Sequence, residues 1–271
     1  LTAGAGDGYD LIMTCDAYME SLIAGDYLEK LDLSQVPNSA NINKAYWSEQ
    51  NQGYCVPYLM NYIYVVYDSE TCPVEIHSYN DLLQSGLKIS TIDGARNLFP
   101  IALVALGYDP NSTNESEIAE AYEWLQKFNE NVVAYGNAEQ NLTNGTANVA
   151  VTYDGNASWA MKEKNTIKVA DFTSDPIQLG IDLFVMPKGA KHVDLAEKFL
   201  NYICTAEVMA KNLEEFPYSC PNDAAVAAAS DDYKNDPARD FSYKENVFFQ
   251  EDVGDTLTIY NDYYQKLKVG E

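Results

Sequence analysis

The residues best able to do chemistry here are carboxylates at strand ends. In "QLGIDLFVMPKGAK" (178–191), Asp182 stands against the apolar run Leu183, Phe184, Val185 and Met186, which Pro187 and Gly189 close. No Lys or Arg occurs in the ten residues before it. A carboxylate against an apolar strand is costly unless a cation and hydrogen bonds compensate it, so the sequence poses the question of which cation Asp182 meets. Three further loops follow short apolar runs. "TCDAY" (14–18) offers Asp16, "IDGARN" (92–97) offers Asp93, and "YDGN" (153–156) offers Tyr153. In open α/β sheets ligands collect at the carboxyl ends of strands, so the four loops suggest one cleft. Polar loops and helix-capping Asp explain any one of the first three, taken singly, more readily than a cleft does. Asp182 differs, because it is read as preceding a strand and capping no helix.

Enzymatic motifs are scarce. There is no GxSxG, HExxH or Walker A pattern. His77 and His192 are far apart, and each lies beside an expected element start, which is a capping or surface position. "GAGDG" (4–8) has no strand before it and reads as a turn. An acid/base carboxylate pair stays open among 41 acidic residues. No cysteine of the five falls in a zinc-like spacing, and an odd number cannot all pair; Cys204 and Cys220 could bridge. The net charge of −24 opposes nucleic acid and anionic membrane surfaces and attracts cations. No basic n-region or apolar h-region opens the chain, as in a mature, trimmed or cytosolic protein.

The elements that must position these residues alternate between types. Strands are expected at 9–13, 54–68 (interrupted by Pro57), 87–93, 147–155 and after Asp182. Helices are expected at 17–31, 78–86, 94–107, 116–132, 156–165 with Asn156 as N-cap, 192–216 and 252–270, with an acidic loop at 231–240. The alternation predicts an α/β fold with mainly parallel sheets. A chain of 271 residues is long for one core and comfortable for two lobes.

Along its whole length the chain resembles the spermidine/putrescine-binding proteins of bacterial ABC importers, within the extracellular solute-binding class. The likeness runs through "GYDLIM" (8–13), "VPY" (56–58), "ARNLFPIALVALGY" (95–108), "YDGNASWA" (153–160), "DLFVMPKGAK" (182–191) and "PYSCPN" (217–222), and is strongest in "QEDVGDTLTIYNDYYQKLK" (250–268). It implies a two-lobed periplasmic-binding-protein-like fold of type II. Lobe one would take 1–62 and 182–229, and lobe two 63–181 and 230–271, with a ligand trapped as the lobes close. Asp182 matches the family's amine-binding aspartate, Gln250 a glutamine of that site, and Tyr153 a tryptophan that packs on the polyamine. Departures accompany these matches. A serine and a tyrosine of the family become Cys15 and Ala17, with Asp16 as a new charge. Two acidic positions become Gly94 and Asn97, although Asp93 stands beside them. A tryptophan becomes Gly180. The family normally begins with a further strand–helix–strand segment of roughly 60 residues, about two βα units. Without it, lobe one is expected to be incomplete and this chain to bind ligand weakly or not at all.

The resemblance therefore implies a non-catalytic importer component. It would capture a putrescine- or spermidine-like amine without a cofactor and deliver it to a membrane permease, as an extracytoplasmic monomer that is periplasmic or membrane-associated at the cell surface as a lipoprotein. Asp182, Asp16 and Asp93 would pair with ammonium groups, Tyr153 would cover the apolar stem, and Gln250, Tyr58, Cys15 and Asn97 would line the site. The same fold around a sugar or an amino acid is the alternative, with an acidic-cleft hydrolase behind it.

Overall fold

The computed structural model describes residues 8–47, 51, 53–172, 174–239 and 245–270. Apart from Gly8, the turn expected at 4–8 lies outside them. In chain order the elements are β1 (Ile12–Cys15), α1 (Met19–Ala24), β2 (Leu28–Glu29), β3 (Cys55–Asp68), β4 (Ile89–Thr91), α2 (Ala95–Ala105), α3 (Glu115–Asn129), β5 (Val132–Tyr135), α4 (Ala138–Thr143) and β6 (Val149–Tyr153). There follow α5 (Asp154–Glu163), β7 (Ile167–Val169), β8 (Ile177–Pro187), α6 (Val193–Ile203), α7 (Ala206–Glu215), α8 (Asp223–Ala228), α9 (Asp231–Lys234), β9 (Val247–Phe249) and α10 (Leu257–Val269). Two compact units share the chain: Leu1–Asn61 with Gly180–Asn235, and Tyr62–Leu179 with Asp236–Glu271.

In the first unit, β1 and β2 both pair antiparallel with the second half of β8, Ile12 opposite Val185 and Leu28 opposite Pro187. Two apolar clusters hold it. One joins Val36, Ile42, Val56 and Met186 to Ala196 and Leu200 of α6. The other joins Leu59 to Met209 and Leu213 of α7 and Ala225 of α8. The helices that build these clusters keep their apolar residues three or four apart, which lines them along one face.

In the second unit, β4 lies between β5 and β6 and is parallel to both, while β3 runs antiparallel to β6 and β7. Helix α3 buries Ile118, Ala121, Leu125 and Phe128, and Asn114 caps it by accepting the Ser116 amide at 3.0 Å. Helix α10 buries Tyr260, Tyr264 and Leu267, spaced by four and three, and ends at Gly270 with φ +76. Tyr260 meets Phe99 of α2 edge to face, with ring centroids 5.2 Å apart.

Several expectations need correction. The sheets are mixed rather than mainly parallel, because β1, β2, β6 and β7 all pair antiparallel. The helix expected over 17–31 ends at Ala24. Asp26 turns into the left-handed region at φ 58, and a Cβ at Gly25 would collide with the Tyr27 ring. Asn156 does not cap α5: the helix begins at Asp154, and the Asn156 amide donates to Glu139 at 2.7 Å. The acidic stretch after Ser230 is helical at α9, where Ser230 accepts the Tyr233 amide and Asp231 and Asp232 face the positive end of the helix. Cys204 and Cys220 form no bridge, and all five thiols are free.

Candidate functional site

The expected site residues fall into two sets, one on each unit. On the first unit the set grows from the register of two strands. β8 begins at Ile177, so Asp182 lies inside a strand rather than before one. Its neighbours Ile181 and Leu183 are buried, whereas Asp182 and Phe184 are half-buried, the alternation a pleated strand imposes. Cys15 of β1 is its antiparallel partner, which puts the two side chains on one face. Asp182 Oδ2 accepts a hydrogen bond from the Asn61 amide of β3 at 2.9 Å.

Asp16 follows directly where β1 ends. Its Oδ1 accepts from the Cys15 thiol at 2.9 Å, the Ala17 amide at 3.1 Å and the Ile181 amide at 3.3 Å. Burial nevertheless raises its pKa, against the pull of those donors. Burial, then the Asp16 charge, pushes the Cys15 thiol far up, with Asp182 adding to the effect. Cys15 is therefore a neutral donor and not a nucleophile. The Tyr58 ring packs against Phe184 with centroids 4.9 Å apart. Burial raises the Tyr58 pKa, Asn212 hydrogen-bonds its hydroxyl, and Asp182 acts on it electrostatically. At Gly180 an added Cβ would meet Cys15 Sγ at 3.9 Å, an ordinary contact, so packing does not demand glycine there.

On the second unit, Asp93 leaves the end of β4 and Tyr153 ends the parallel neighbour β6, with Thr91 opposite Val151. Parallel pairing brings both loops to the same end of the sheet. Gly94, at φ +116, makes the turn into α2, a backbone conformation open mainly to glycine. Asn97, in the first turn of α2, donates to the Asp93 carbonyl at 2.7 Å and to the Tyr153 hydroxyl at 3.2 Å. Gln250 donates to the carbonyl of Arg96, next to Asn97. The structure thus joins Asp93, Asn97 and Tyr153, with Gln250 alongside.

Sequence reasoning passed over the partners of Asp93. Its carboxylate accepts the Tyr264 hydroxyl, and Lys268 Nζ lies 3.3 and 3.4 Å from its two oxygens. The Tyr264 hydroxyl foremost holds the Asp93 pKa low, against burial and with help from Lys268. The same ammonium sits 3.5 Å from the centroid of the Tyr135 ring. Burial raises the Tyr135 hydroxyl to about 12, and the Asp93 charge adds to it. Tyr264 and Lys268 are four apart on α10 and so share a face, a spacing visible in the sequence. Asn61, equally overlooked, had only strand alternation to mark it.

His192 is exposed at the start of α6 and pairs with Asp10 at 2.8 Å, whereas His77 meets the Asp171 carbonyl at 3.2 Å. Among the described residues no group of three or more His, Cys, Asp or Glu is placed to hold a metal, and no helix is long and apolar enough to cross a membrane.

The sequence profile of bacterial extracellular solute-binding proteins matches residues 1–240. The spermidine/putrescine-binding periplasmic protein of Salmonella typhimurium is 31% identical over 274 residues, covering 97% of this chain and 78% of that protein. Spermidine/putrescine-binding periplasmic protein 1 of Haemophilus influenzae is 28% identical over 282 residues, covering 100% of this chain and 78% of that protein. A solved chain of Listeria monocytogenes, assigned to spermidine/putrescine ABC transport, superposes with a TM-score of 0.90 at 27% identity, covering 98% of this chain and 85% of that one. The mixed sheet with flanking helices is the α/β periplasmic-binding-protein-like fold of type II. Fold, profile and relatives agree: the chain belongs to the bacterial extracellular solute-binding proteins, extracytoplasmic and non-catalytic partners of ABC importers that bind small solutes.

Proposed function

We propose that this protein is the substrate-binding component of an ABC importer for a polyamine-like organic amine of the putrescine and spermidine class. It delivers that amine to its permease at the outer face of the membrane. The observation that carries the reading is the carboxylate pair on the first unit. Asp182 lies in β8 and Asp16 directly follows the end of its neighbour β1, placed by the Cys15–Asp182 register and by amide donors. Hydrogen bonds hold the two carboxylates in place, and an ammonium donor would make charge-assisted bonds to them. The relatives named for spermidine and putrescine binding support the same class of cargo. On the second unit the same reading draws on Tyr153, Asn97 and Gln250, a ring and two amides. The test is a thermal-shift and calorimetric screen of amines, sugars and amino acids against the protein made from its complete gene. Amines should raise the melting temperature while sugars and amino acids leave it unmoved; stabilisation by a sugar or an amino acid alone would replace this reading.

A further inference from the structure

Within the second unit, α10 meets the turn between β4 and α2 through two side chains four positions apart on one face. The Tyr264 hydroxyl accepts the Gly94 amide at 2.9 Å and donates to the Asp93 carboxylate. Lys268 Nζ lies 3.3 and 3.4 Å from the two oxygens of that carboxylate and 3.5 Å from the centroid of the Tyr135 ring. Tyr135 is itself anchored: it ends β5 opposite Thr91 of β4, and its hydroxyl donates to Asn129 at 2.6 Å. An exposed ion pair alone holds little. Here the ammonium also has the face of a fixed ring, and the phenol grips both Asp93 and Gly94. The turn in its turn supports the binding set. The Asp93 carbonyl accepts the Asn97 amide at 2.7 Å, and the same nitrogen donates to the Tyr153 hydroxyl at 3.2 Å. Gly94 permits this approach, since a Cβ there would stand 3.2 Å from Asn97 Nδ2. A turn that shifted would carry Asn97 with it and release the Tyr153 hydroxyl.

We infer that Tyr264 and Lys268 are positioning residues: they fasten the Asp93–Gly94 turn to α10 and so hold Asn97 and Tyr153 in place for the cargo. The fastening lies wholly within the second unit, and its bearing on affinity rests on the amine reading above. Asp93 is then the grip of the turn and not a ligand of the cargo. The two roles differ in sign. If Lys268 merely competed with a cargo ammonium for Asp93, its removal would tighten binding. If it fastens the turn, its removal weakens binding.

The experiment is calorimetric titration of putrescine and spermidine into the protein made from its complete gene, as wild type, Lys268→Met, Lys268→Arg and Tyr264→Phe. Lys268→Met and Tyr264→Phe should each weaken the tighter-binding amine by about fivefold. Lys268→Arg keeps the charge and the contact with the ring face and should stay within about twofold of wild type. The melting temperature of Lys268→Met should hardly move, because its ion pair is open to solvent. Tighter binding in Lys268→Met, or affinities unchanged in both Lys268→Met and Tyr264→Phe, would overturn the inference and leave the amine reading intact. A second readout needs no ligand: the NMR resonance of the Asn97 side-chain amide, recognised as the one lost in Asn97→Asp. It should move in Lys268→Met and Tyr264→Phe and stay near its wild-type position in Lys268→Arg; a resonance unmoved in both of the first two would overturn the fastening. Binding of neither amine by wild type, with the resonance moved, would remove the amine reading and leave the fastening of the turn standing.

Discussion

Asp182 owes its place to strand register: it stands opposite Cys15 on the half-buried face of β8, with the Asn61 amide fixing one oxygen. A carboxylate so placed needs no distortion to meet a cation, and the neighbouring Asp16 is already oriented by three donors. Removing one partner of a desolvated charge pair typically costs about 3 kcal/mol or more, roughly a hundredfold in Kd. Asp182→Ala should therefore weaken amine binding by about that factor in calorimetry, with a far smaller change in melting temperature, because the side chain is only half-buried. A loss under tenfold would take Asp182 out of the binding role. Asn61→Ala removes a single neutral donor and should cost about 1 kcal/mol of affinity, measured in the same titration.

Elements are fastened to one another by buried charge, and one of these fasteners titrates. Asp68 ends β3 with its side chain 1% exposed, and Lys164, just past α5, meets it at 2.8 Å. Burial alone would raise its pKa, but Lys164, Thr71 and the Glu70 amide together hold it well below 3.8. A depressed folded-state pKa contributes stability that is fully present above the unfolded value near 3.8 and is lost as pH falls through the folded one. Asp68→Asn should cost about 3 kcal/mol at neutral pH and flatten the acid limb of the stability curve below about pH 4; urea melts from pH 2 to 7 would show both, and an unchanged acid limb would exclude the pair as its source. The helices of this scaffold were legible because their apolar residues recur at three and four: α6, α7 and α10 fall inside spans read from the sequence, and α3 starts one residue before its span. The short strands β5, β7 and β9 went unread, since three or four residues carry too little alternation to stand out. β8 was read too short because Gly180 and Asp182 look like a loop, although half-exposed strand positions accept both. Its antiparallel pairing with β1, and the approach of Lys268 to Asp93 across 175 positions, are products of the fold that no local pattern announces.

At the scale of the whole molecule, 41 acidic against 17 basic residues leave a net charge of −24. Such an excess disfavours compaction through self-repulsion, and several basic residues are drawn into fixed ion pairs, Lys164 with Asp68, Arg239 with Asp154 and Lys268 with Asp93. Most of the negative charge is thus left to act on what approaches from solution. A cationic amine feels that field over about a Debye length, near 30 Å at 0.01 M salt and about 3 Å at 1 M. Its capture should be steered, with an association rate that falls by about tenfold or more as salt rises across this range. The dissociation rate depends on short-range contacts shielded from the ions and should change much less. Stopped-flow measurement of amine association with the protein made from its complete gene, at salt concentrations spanning that range, tests this directly. A rate independent of salt would mean that the acidic surface takes no part in capture and serves solubility alone.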